Sequence, residues 1–216
     1  MLYVMPVEGE QALAPFSVFC ADVGSIKNDR FGWAASFADG TQDSGRNIED
    51  FARATASELS RGRKVAIGFE CPLFVPMRAD PMLVNSARTG EGNRSWSAGA
   101  RAGALATGLV EVLWTLNAVA KHLARLPRAT FDWAEFQKED CVFLREAFVT
   151  SSAKGDSHCH DAQIAVEAFR DALPNPGKKN AIEESEVLSL VGAAALRAGW
   201  ATDAGTLSQR CIVIKA

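Results

Sequence analysis

The stretch CADVGSIKNDRFGWAASF, residues 20–37, decides how the rest of the chain is read. It joins two apolar runs, FSVFCA (16–21) and FGWAASF (31–37), through a polar turn carrying Gly24, Asn28 and Asp29. Such a pattern predicts a β-hairpin-like pair of strands. Asp22 stands at the end of the first strand, where a lone carboxylate is ordinarily a turn or cap residue. Its meaning depends on whether other acids, far along the chain, arrive at the same edge.

Working outward, ADGTQDSG (38–45) predicts a second turn with a short third strand near Thr41. From Asn47 to Arg61, Ile48, Phe51, Ala52 and Leu59 recur at helical spacing, Asn47 can cap, and Gly62 ends the helix. KVAIGFE (64–70) is apolar enough for a strand buried on both faces and is stopped by Pro72. A long helix is predicted over 104–126, a strand over CVFLREAFV (141–149), and a helix over HCHDAQIAVEAFRDAL (158–173) that Pro174 stops. A last helix over 185–199 and a strand over RCIVIK (210–215) complete the order. Early antiparallel strands followed by helix-connected strands imply an α/β fold, a mixed β-sheet flanked by helices on both faces. Residues 1–15 read as an irregular lead-in, and 74–103, rich in Gly, Ser, Asn and Arg, as a long mobile loop.

With 216 residues and 48% hydrophobic content, the chain is long enough for one sizeable core and reads as a single domain over 1–216. A formal charge of -3 argues against a protein that coats nucleic acid. Five cysteines without a CxxC pair argue against a disulfide framework, and Cys20, Cys141 and Cys211, in strand-like runs, suit reduced, buried thiols. The opening MLYVMPV is too short to span a bilayer and lacks a basic lead, so the expectation is a cytoplasmic protein with no membrane partner.

Three carboxylates have unusual positions. Strand alternation puts Glu70 with Ala66 and Gly68, at the carboxyl end of its strand, as Asp22 is at the end of its own. Open sheets place their sites outside such ends. Asp161 is in register with Ile164, Ala165, Ala168, Phe169 and Ala172, on the sheet-facing stripe of its helix, with His158 three residues earlier on the same side. Converging acids repel unless a cation joins them, and hard oxygen ligands favour Mg²⁺ or Mn²⁺. Glu146, sharing a strand face with Val142, Leu144 and Phe148, is a further candidate metal ligand.

The order of these acids, one ending the first strand, one ending the strand after the first helix and one in a late helix, resembles the ribonuclease H-like superfamily. IGFECPL (67–73) and LREAF (144–148) resemble stretches of an uncharacterised family of predicted ribonuclease H-like nucleases, although Glu70 stands where that family usually has Asp. HCHDAQIAVEAF (158–169) is similar to the C-terminal helix motif of RuvC-type Holliday-junction resolvases. The resemblance implies a ribonuclease H-like sheet and metal-dependent hydrolysis of phosphodiester bonds, with Asp22, Glu70, Asp161 and His158 as the catalytic set. Single-stranded or structured nucleic acid is the expected partner.

Elsewhere, His158, Cys159 and His160 fall on successive helical residues and point in different directions, which argues against zinc. In the 74–103 loop, Arg88, Arg94 and Arg101 are candidate phosphate contacts and Trp96 a stacking platform. Two alternatives stay open: a catalytically inactive binding or assembly module on the same fold, and a nucleotide phosphatase or ATPase of the same superfamily.

Overall fold

The computed structural model describes residues 14–150 and 152–216. The expected lead-in over 1–15 lies outside the described residues except for its last two. The first strand, β1 (Phe16–Asp22), is buried along its whole length and pairs antiparallel with β2 (Gly32–Ser36), which pairs in turn with β3 (Gln42–Gly45). Helix α1 (Ile48–Ser60) follows, with the Asn47 side chain accepting from the Glu49 and Asp50 amides. It returns the chain to β4 (Lys64–Phe69), parallel to β1 on the other side.

The segment expected to be a mobile loop holds a short strand, β5 (Phe74–Pro76), and a 3-10 turn at Pro81–Leu83. Helix α2 (Gly99–Ala120) begins and ends earlier than expected, so the residues beyond it form turns. Two short elements that carry little periodicity, β6 (Ala129–Thr130) and α3 (Trp133–Lys138), precede β7 (Val142–Phe148). Helix α4 (His158–Asp171) matches its expected start. The segment expected as one last helix is divided: β8 (Val187–Ser189) pairs with β5, and α5 (Leu190–Ala198) starts on the Ser189 cap. The last strand, β9 (Val213–Lys215), is half the expected length.

The result is a seven-stranded mixed sheet of order β3-β2-β1-β4-β7-β6, with β9 also pairing β7. Alternation sends Phe19, Ile67 and Leu144 to one face, where they pack with Phe51 of α1, Val112 and Leu116 of α2 and Val191 of α5. Val18, Cys20, Ala66 and Phe143 face the other way, against Trp133 of α3 and Ala165 and Phe169 of α4. Helices therefore cover both faces. By length and composition α2 is apolar enough to cross a membrane, with a mean hydropathy of 1.4, yet Val112, Leu116 and Val119 on its inner side belong to the core.

Candidate metal centre

Parallel register builds the site. Cys20, Gly68 and Arg145 lie side by side across β1, β4 and β7. One step further, the Glu70 amide donates to the Ala21 carbonyl at 2.8 Å, which keeps the end of β4 beside Asp22. Asp22 and Glu70 thus leave the carboxyl ends of neighbouring strands on the face that α4 covers. Opposite Asp22, Gly32 of β2 lets α4 sit directly on the sheet: a Cβ there would come within 2.3–2.6 Å of the His158–Cys159 backbone. With its first turn seated so closely, α4 delivers Asp161 from above.

Asp22, Glu70 and Asp161 each offer one carboxylate oxygen within 4.8 Å of the others, and all three are at most 8% exposed. Their hydrogen bonding is uneven. Asp161 accepts from the Gly155 amide at 2.7 Å and from Lys154 Nζ at 3.2 Å. Asp22 Oδ2 shares a 2.5 Å hydrogen bond with His158 Nδ1. Glu70 Oε2 is buried and accepts no hydrogen bond from the described residues. A buried carboxylate oxygen without a donor is costly unless a cation completes it. Burial, followed by the neighbouring Asp22 charge, raises the Glu70 carboxyl far above its ordinary range. Burial likewise raises Asp22, with Lys154 opposing. Two acids on strand ends and one on a helix laid over them form a donor set that could hold a metal ion.

Two contributors carry weak sequence signals. Lys154 is the only lysine or arginine between Arg145 and Arg170, and its Nζ lies 3.2 Å from Asp161 and 4.0 Å from Glu70. Glu111 is the only charge between Arg101 and Lys121. It is buried in α2, accepts weakly from the Gly24 amide at 3.3 Å, and burial pushes its carboxyl up to about 7. Neither signal says which distant acids these residues meet, and only the folded chain reveals that.

Other expected site residues lie elsewhere. Glu146 pairs in register with Phe69, not Glu70, so alternation turns it to the opposite face of the sheet. There it is fully buried, accepting from Arg88 at 2.7 and 2.8 Å, from Arg101 at 2.7 Å and from the Leu73 amide at 3.0 Å. Burial acts to raise its carboxyl, but the two guanidiniums prevail and hold it low. Glu146 is thus the anchor of an ion-pair network rather than part of the acid cluster. Arg88 and Arg101 are correspondingly withdrawn from any phosphate: Arg88 is 1% exposed and also bonded to Glu91, and Arg101 lies over the Phe148 ring. Trp96 is half-buried, its indole N–H donating to the Ser86 carbonyl. Arg94, half-buried, donates to the Val149 carbonyl just past β7 and so lies at the same sheet end as the acids. His160 pairs with Asp156 and the Cys159 thiol donates to the Gly45 carbonyl, so the HCH run diverges.

No protein-family model, curated protein or solved structure matches the chain. The site therefore rests on its own geometry.

Proposed function

We propose that this protein is a divalent-metal-dependent phosphodiesterase of ribonuclease H-like fold, acting on single-stranded or structured nucleic acid. The observation that carries the reading is the meeting of Asp22, Glu70 and Asp161, with one buried Glu70 oxygen that has no donor among the described residues. The fold part is supported by the antiparallel β1–β2–β3 run continued by parallel β4 and β7, with the acids at the positions the sequence resemblance implies.

Mg²⁺ or Mn²⁺ held by these three carboxylates would supply Lewis-acid polarisation of the phosphodiester and a nucleophile at neutral pH. The chain's own groups do the rest. Asp161 is fixed by the Gly155 amide, so one ligand is oriented before binding. His158 steadies Asp22 through Nδ1, and its side chain is 38% exposed, so Nε2 would be available to donate a proton to the leaving oxygen. Arg94, which donates to the Val149 carbonyl at the same sheet end, would contact a neighbouring phosphate. The net charge of -3 disfavours a long duplex and suits a short single-stranded or irregular segment.

The test is incubation of wild type and Asp161→Asn with single-stranded DNA, structured RNA and nucleotides in Mg²⁺ or Mn²⁺. Metal-dependent cleavage by the wild type alone is expected. A wild type that binds one of these substrates yet leaves all of them intact would make the protein a binding module.

A further inference from the structure

We infer that Lys154 is the resident cation of the acid cluster: a tethered ammonium that a divalent ion displaces and that then meets a substrate phosphate. This rests on the metal-site reading above. The Nζ atom reaches two of the three acids, at 3.2 Å from Asp161 Oδ2 and 4.0 Å from Glu70 Oε1. Only the first is a hydrogen bond; the second distance is a charge attraction without a bond.

The attachment is built for exchange. The Lys154 side chain is 42% exposed, on a flexible stem whose compact charge is readily rehydrated. Asp161 does not depend on it, because the Gly155 amide holds Oδ1 independently. Gly155 is itself required there: a Cβ would come within 2.4 Å of the His160 ring. The Gly155 amide bond to Asp161 involves no atom of the Lys154 side chain, so displacing that side chain does not break it. Two cations cannot share so small a cluster without repulsion, so the ammonium and the metal compete for the same oxygens. Once displaced, the ammonium remains tethered at the rim, where a singly charged phosphodiester oxygen is its natural partner.

The experiment compares wild type, Lys154→Met and Lys154→Arg by calorimetric titration with Mn²⁺ alone, then by binding of a phosphorothioate single-stranded oligonucleotide to the Mn²⁺-loaded proteins. Lys154→Met is expected to bind Mn²⁺ at least tenfold tighter at unchanged stoichiometry and the oligonucleotide at least fivefold more weakly, with Lys154→Arg nearer to wild type on both. If wild type binds Mn²⁺ but Lys154→Met binds it equally or less well, the tethered-cation inference is overturned. Unchanged oligonucleotide binding by Lys154→Met would overturn the phosphate contact. A wild type that binds no Mn²⁺ refutes the metal site itself, a distinct failure.

Discussion

In the metal-free protein, stability should fall as pH rises from about 5 to 7, and Glu70→Gln should remove much of that fall. Glu70 is raised from 4.5 to about 9, with burial first and Asp22 next among the causes. Because the folded form holds the proton more tightly than the unfolded chain, stability is fully present below the ordinary carboxylate range and is lost as pH climbs toward the folded value. Each pH unit is worth about 1.4 kcal/mol, so between 4.5 and neutrality the penalty is on the order of 3 kcal/mol. Asp22, also raised, adds to it in the same direction. The amide of Glu70→Gln keeps the volume without the charge. For a chain of this size that corresponds to a rise in metal-free Tm of roughly 6–12 °C at pH 7, and to almost none at pH 4.5. Thermal unfolding followed by circular dichroism in chelator, from pH 4.5 to 8, reads both effects. Saturating Mn²⁺ should cancel the wild-type slope by binding the ionised native cluster. A Glu70→Gln protein whose pH slope equals that of the wild type would refute the reasoning.

Glu146→Gln should destabilise the protein by about 3–5 kcal/mol, since Arg88 and Arg101 lose the charge that compensates their burial, while Mn²⁺ affinity changes little; denaturant unfolding and metal titration separate the two. Gly32→Ala should impair both stability and Mn²⁺ binding, because its Cβ meets the backbone of the first turn of α4; the same two measurements apply, and a variant with wild-type metal affinity would show that α4 need not sit so close. Arg94→Ala should weaken oligonucleotide binding at low salt, with the difference shrinking as salt rises, as a phosphate contact requires.

What the sequence determined follows from local physics. Alternation in FSVFCAD and KVAIGFE, the Asn47 cap and the apolar stripe of 158–173 are properties of near neighbours, and they fixed β1, β4, α1, α4 and the sheet end at which Asp22, Glu70 and Asp161 emerge. Elements of two to six residues, such as β6, α3 and β8, are too short for periodicity to register and exist because neighbours pair or cover them. The fate of Glu146 was decided by strand register. Its odd position among apolar residues was visible, but the Phe69 pairing that turns it away from the acids, toward Arg88 and Arg101, is not. Lys154 likewise looks like any loop lysine until the close packing of α4 on Gly32 brings Asp161 beneath it. Local pattern determines which face and which end a side chain takes. Which charges then meet across distant segments depends on register and packing, and only the folded chain sets those.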